Sequence, residues 1–162
     1  MLRRLAKGFI LWGVRRTPGR PAKMRNGDGK FNLFRFQFLW PDETILNGKH
    51  LNRPPWWRPF NAFLHCWRPR HDGEEFHDHP RWSITIVLRG RIVELTPWHS
   101  KILKPGSVVI RSRKAIHSFR VPDGYRGKTW TLFIVGRRNH RQHIYRIHTL
   151  PIDSTLRKPV KA

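Results

Sequence analysis

His77 and His79 stand two residues apart in a stretch, Glu75-Phe76-His77-Asp78-His79, that reads as a strand. Side chains alternate along a strand, so both imidazoles face the same way. On the inner face of a barrel they become two neutral nitrogen donors side by side. His117 falls on a later strand that a β fold can bring opposite the pair. Three imidazoles with open positions suit Fe(II), Ni(II), Cu(II), Zn(II) or Mn(II), and residue type alone does not choose among them. A metal held this way binds substrate through an anionic or thiol group and activates oxygen or water beside it. A histidine taken singly is more often structural or solvent-exposed than a ligand; the His-x-His pairing is what argues for a metal.

Several neighbours have the parity to join such a site. Ser83, four residues beyond His79, can face the same cavity and hydrogen-bond a ligand. Arg81 shares that parity and could neutralise a substrate carboxylate or phosphate, unless the break at Pro80 turns it to the surface. His65, on the preceding strand, is a fourth ligand, a general base, or more plainly a packed histidine supporting its neighbours. Cys66 has the opposite parity, so both cannot line one pocket in a regular strand. Glu94 could reach the interior, although a salt bridge with one of the many arginines is the plainer reading. His140, His143 and His148 sit among arginines and read as surface residues. There is no nucleotide-binding glycine loop, Gly-x-Ser-x-Gly elbow or His-Glu-x-x-His.

The elements that must position these residues are mostly strands. Residues 61–67, 75–79 resuming at 83–89, 91–95, 102–103, 107–111, 117–121 and 129–135 are short runs rich in β-branched and aromatic residues. Gly90, Pro105-Gly106 and Gly136 punctuate them. Residues 31–40 add an aromatic strand, and residues 41–60 are turn-rich, with Trp56 and Trp57 on an ordered loop. Such spacing without a helical period predicts an all-β sandwich or barrel. The expected division is a basic N-terminal extension over 1–30, a β-barrel domain over 31–150 and a surface tail over 151–162. Within the extension, a helical or irregular start leads to a mobile Gly/Pro-rich connector.

The chain has 162 residues, enough for one domain with an ordinary core. Eight tryptophans and ten phenylalanines exclude a disordered composition. A lone cysteine excludes an internal disulfide framework and a multi-thiolate zinc site, and points to a reducing, cytoplasmic setting. No apolar run is long enough to span a bilayer. Phe9-Ile10-Leu11-Trp12 after Arg3, Arg4 and Lys7 imitates a secretory signal, but Gly13, Arg15 and Arg16 interrupt it and no small-residue cleavage site follows. A short basic amphipathic segment is the better reading. It could pack on the domain, touch anionic lipid or bind a partner.

The formal net charge of +23 attracts polyanions without any specific site. Arg15, Arg16, Arg20, Lys23 and Arg25 form one basic stretch; Arg137, Arg138, Arg141 and Arg146 form another. Trp56 and Trp57 could stack on bases. No zinc finger, RNA-recognition signature or basic zipper accompanies them, and a solvated basic surface is the plain alternative.

The spacing of His77-Asp78-His79, three residues, Ser83, six residues and Gly90 resembles the first motif of the cupin superfamily. Pro105-Gly106 opens a stretch in which His117 stands where the second motif has its histidine. The resemblance covers roughly residues 61–136. It is closest to small bacterial and phage cupins with a His-Asp-His-Pro stretch and a terminal Trp-Thr-Leu-Phe-Ile strand, here Trp130–Ile134. It implies a small antiparallel β-barrel or jelly roll, a divalent metal (Fe, Zn, Ni or Mn) and His77, His79 and His117 as its ligands. The chain departs from the pattern in five places. His71 stands at the leading glycine, Ser112 and Lys114 at the second motif's proline and glycine, and Val121 at its final asparagine. Ser83 replaces the usual glutamate ligand. A three-histidine set without a carboxylate is similar to that of thiol dioxygenases, of whose other catalytic residues only Tyr125 and Tyr145 could supply a phenol.

Three functions follow as expectations. The first is a metal-binding cupin, of a small-molecule oxygenase type. The second is a non-catalytic basic scaffold of phage type: an accessory, virion or inhibitor protein contacting nucleic acid or protein in the virion or host cytoplasm. The third is a metal-free isomerase with histidine as base. A homodimer is compatible with each.

Overall fold

The computed structural model describes residues 2–18, 20–25, 31–39, 45–46, 49–50, 59–68, 76–79, 81–136 and 144–145. One helix, α1 (Leu2–Arg16), precedes thirteen short strands among these residues. They are β1 (Ala22–Arg25), β2 (Phe31–Phe36), β3 (Ile45–Leu46), β4 (Lys49–His50), β5 (Phe60–Trp67), β6 (Phe76–His77) and β7 (Ser83–Arg89), then β8 (Ile92–Leu95), β9 (Ser100–Leu103), β10 (Val108–Arg111), β11 (Ser118–Arg120), β12 (Thr129–Gly136) and β13 (Ile144–Tyr145).

The larger sheet has the order β1-β2-β5-β12-β7-β10, every pair antiparallel. The smaller sheet runs β11-β8-β9. β6 extends it through a bridge between His77 and His117, and β13 pairs with the outer side of β6. A β3–β4 hairpin stands apart. One apolar cluster joins the two sheets: Leu33, Trp67 and Val87 from the larger meet Ile92, Leu103 and Phe119 from the smaller, with Val121 beside them. The expected all-β sandwich is therefore what forms, and its strands match those anticipated between 61 and 136 except the one expected over 75–79: β6 ends at His77, and His79 follows it in irregular backbone just before Pro80, outside the expected strand.

Alternation explains which side chains turn inward. Along β7, Ser83, Thr85 and Val87 are buried while Ile84, Ile86 and Leu88 are half-buried on the other face. β12 repeats this, with Thr129, Thr131, Phe133 and Val135 inside. β5 is buried on both faces because α1 lies across its outer side. Gly13 makes that seat possible: a Cβ there would collide with Leu64, which is fully buried. Gly90 closes the β7–β8 turn at φ 84° with the Thr129 side chain packed where a Cβ would go.

The N-terminal region differs from its expected connector. Ala22–Arg25 forms the edge strand β1, paired with β2 and bulged at Met24/Arg25. Basic side chains obscured it in sequence, because an edge strand needs only its backbone partner and one packed residue, here Met24 against the apolar cluster. The expected surface tail from 151 lies outside the described residues, as do Trp56 and Trp57.

Candidate metal centre

His77 and His117 sit directly opposite one another and exchange both backbone hydrogen bonds: His77 N–H to His117 O at 2.9 Å and His117 N–H to His77 O at 3.0 Å. That pairing sets their side chains next to each other on one face. His79, two residues on, returns to the same face. The ring centroids make a nearly equilateral triangle: 5.0 Å for His77–His79, and 4.9 Å for both His77–His117 and His79–His117. One ring nitrogen from each lies within 4.8 Å of the others.

The donor set fits a divalent cation. The Nε2 atoms of His79 and His117 are 3.2 Å apart. Two nitrogens at about 2.1 Å from one ion, separated by roughly 100°, lie about 3.2 Å from each other. His117 Nδ1 is 3.2 Å from the Ala115 carbonyl, which places its hydrogen there and leaves Nε2 as a lone-pair donor. Burial pushes the His79 pKa down to about 2, assisted by His77, Arg111, Arg35 and Arg81. Burial also holds His117 well below its ordinary value, with Arg111, His77 and His79 adding to it. Both rings are thus neutral at physiological pH, the form that ligates.

This neutrality makes stability depend on pH. The unfolded chain protonates histidine below about pH 6.5 while the folded chain leaves His79 neutral, so the unfolded state binds more protons and acidification favours it. For His79 alone the metal-free protein loses about 2 kcal/mol by pH 5 relative to pH 7.5. His117 and His65 shift in the same direction. Urea unfolding in chelator at the two pH values checks this; equal midpoints would show that these rings are solvated.

The sequence-designated neighbours divide. His65 is buried but not in the trio: its Nε2 accepts from Arg35 Nε at 3.1 Å, and its ring stacks on Phe133 at 5.1 Å. Phe133 lies 5.2 Å from His79 on its other side, so His65 supports the wall of the site. Desolvation, then the Arg35 and His79 charges, keep it neutral. Arg81 is buried rather than on the surface and donates from Nη1 to the Gly136 carbonyl at 2.9 Å. Ser83 is fully buried, and among the described residues its Oγ has no hydrogen-bond partner. An orphaned interior hydroxyl of this kind calls for a ligand or water. Glu94 satisfies both of its readings: it is buried inside and holds Arg111, whose Nε donates to Oε1 at 2.7 Å and whose Nη2 makes a second, shorter contact. Cys66 has the parity of Leu64 and so faces away from His65, and burial raises its thiol pKa against the Lys128 charge. Tyr125 packs against the apolar cluster, and the Tyr145 side chain is outside the described set. Arg15, Arg16 and Arg20 are exposed; Arg137, Arg138, Arg141 and Arg146 lie outside the described residues, as do His140, His143 and His148.

Sequence reasoning missed Arg111 and Arg35. Arg111 also reaches Thr85 Oγ1 at 3.3 Å and lies 4.7 Å above the Phe119 ring, next to His117. A signal existed: Arg111 has the parity of Val109, which packs inward. Arg35 was hidden because β2 is aromatic around it, with Phe34 and Phe36 on the opposite face.

No family profile matches the sequence, and no curated protein matches it. Solved structures do. A cupin-like protein from Thermotoga maritima aligns at 16% identity and TM-score 0.57, over 78% of this chain and 86% of that one. The polyketide cyclase RemF from Streptomyces resistomycificus aligns at 15% identity and TM-score 0.61, over 87% and 89%. The chain has a cupin fold. The DMSP lyase DddQ from Ruegeria pomeroyi aligns at 18% identity and TM-score 0.51, over 76% of this chain and 56% of that one. This chain therefore spans little more than half of DddQ's length. No helix among the described residues is long and apolar enough to cross a membrane.

Proposed function

We propose that this cupin is a metal-dependent protein acting on a small anionic molecule, with His77, His79 and His117 as the ligands its chain supplies. The observation that carries the reading is the imidazole triangle clamped by the His77–His117 backbone pair. A divalent ion held there would supply Lewis acidity and, if iron, a place for oxygen chemistry.

The chain's own side chains support an anionic substrate. Arg35 and Arg81 bear on His79 electrostatically, beside the Glu94-paired Arg111. Glu94 is committed to Arg111. By the cupin resemblance Ser83 replaces a carboxylate ligand that would add negative charge, and its buried hydroxyl, without a partner among the described residues, is available to a substrate oxygen. Phe63, Phe133 and Val135 form an apolar wall that keeps water out and strengthens these interactions. The fold hosts several reaction types, so the site chemistry, not the scaffold, supports this choice.

The test starts with elemental analysis after incubation with Fe(II), Ni(II), Zn(II) or Mn(II). One ion per chain is expected for wild type and almost none for His77→Ala/His79→Ala. In the cobalt-loaded protein, small carboxylates or phosphate should perturb the visible spectrum, and Arg81→Leu should weaken their binding roughly tenfold. A folded wild-type chain that takes up no metal refutes the reading.

A second reading, a non-catalytic basic scaffold contacting a polyanion or a protein, is supported by the exposure of Arg15, Arg16 and Arg20. It replaces the first if the cellular activity survives His77→Ala and His117→Ala together.

A further inference from the structure

We propose that the outward face of α1 docks on membranes bearing anionic headgroups. The helix is held to the barrel by its opposite side, where Ile10 is buried and Gly13 meets Leu64. The outward side carries an apolar stripe at i, i+4 and i+7: Leu5, Phe9 and Trp12. Leu5 is 60% exposed and Trp12 46%; Leu11, 48% exposed, lies about 100° round the helix from Trp12, beyond Arg4 and Arg15. Phe9 and Trp12 stack with centroids 5.7 Å apart, and Phe38 from beyond β2 packs edge-on against both, at 5.8 and 5.4 Å. The aromatic pair is therefore held in place on the surface rather than free to fold inward.

Charge complementarity identifies the occupant. α1 contains no acidic residue, and Arg3, Arg4, Lys7, Arg15 and Arg16 are all exposed. Arg4 and Arg15 flank the stripe on the side away from the barrel, while Arg16 stands 5.6 Å from the Trp12 ring at its end. A helix of this length is about 22 Å long, so it can lie in the headgroup plane but not cross a bilayer. Leu5 and Trp12 enter the acyl boundary while the arginines beside them pair with lipid phosphates. Two alternatives fit less well. A nucleic acid backbone uses the arginines and leaves Leu5 and Leu11 in water. A second copy of a chain with net charge +23 opposes itself electrostatically.

The experiment is co-sedimentation of the full chain with sucrose-loaded vesicles of phosphatidylcholine, alone or with about a quarter phosphatidylglycerol, at physiological ionic strength. Pelleting is expected with the anionic vesicles only. Leu5→Ser/Trp12→Ser should lower the partition coefficient at least about tenfold, with retention on duplex DNA unchanged. Arg4→Glu/Lys7→Glu, at two exposed positions, should lower it similarly and guards against misfolding of the first variant. Metal content should match wild type in both, separating this outcome from any failure of the metal reading. Absence of pelleting, or pelleting that Leu5→Ser/Trp12→Ser leaves intact, overturns the proposal. So does loss of DNA retention in that variant, which would make nucleic acid the occupant.

Discussion

Adding divalent metal to the wild-type chain is expected to raise its unfolding temperature, and adding it to His117→Ala is expected to change nothing. An ion that binds only the folded state stabilises it by about 4 kcal/mol when free metal is a thousand times its dissociation constant. For a chain of this size that corresponds to roughly 8–16 °C. His117 is the informative position because it does two separable things. Its backbone exchanges two hydrogen bonds with His77, and its Nε2 lies 3.2 Å from that of His79. Alanine keeps the backbone pair and removes the donor. The variant should therefore fold, at a cost of about 2–3 kcal/mol for the vacated interior space, yet show a flat metal response. Calorimetry across a metal titration measures both quantities. A metal response equal to wild type would mean that the ion, if bound, sits elsewhere.

Glu94→Ala is expected to destabilise the fold by about 3–5 kcal/mol, because it leaves the Arg111 guanidinium buried without its carboxylate. Burial already lowers the Arg111 pKa while Glu94 raises it, the signature of a cation that the interior tolerates only when paired. The remaining contact to Thr85 and the Phe119 ring cannot replace a carboxylate. Glu94→Ala/Arg111→Met, which removes both charges, should recover most of the loss, since a well-packed apolar pair is often as stable as a buried ion pair. Chemical denaturation of the single and double variants tests this. If Glu94→Ala unfolds at the wild-type midpoint, water reaches Arg111 and the barrel interior is wetter than its burial indicates. Loss of small-anion binding in the recovered double variant would further assign Arg111 to the substrate site.

Much of the site is legible in the amino-acid sequence, for a simple reason. The His-x-His spacing puts His77 and His79 on one face only if the backbone is extended, and although β6 ends at His77 the two rings do converge; glycines at 90 and 106 mark turns that only a positive φ satisfies. The strands between 61 and 136 are equally clear, because short apolar runs bounded by Gly and Pro leave few other choices. β1 is not, since the alternation of Ala22-Lys23-Met24-Arg25 is too short to stand out in a basic, Gly/Pro-rich stretch and the strand depends on β2 for every backbone pairing.

The sequence by itself determined most of the strand pattern, the close spacing of the His-x-His pair, the parity of Ser83 within β7 and the charge excess that leaves α1 without an acid. Only the tertiary structure decided that His117 pairs across a bridge with His77 and that His65 accepts from Arg35 rather than joining the trio. It also decided that Arg111 enters the interior with Glu94. The division follows from locality: alternation is a property of adjacent residues. Convergence of β6, β10 and the start of β11 depends instead on sheet register between segments some 30–40 residues apart.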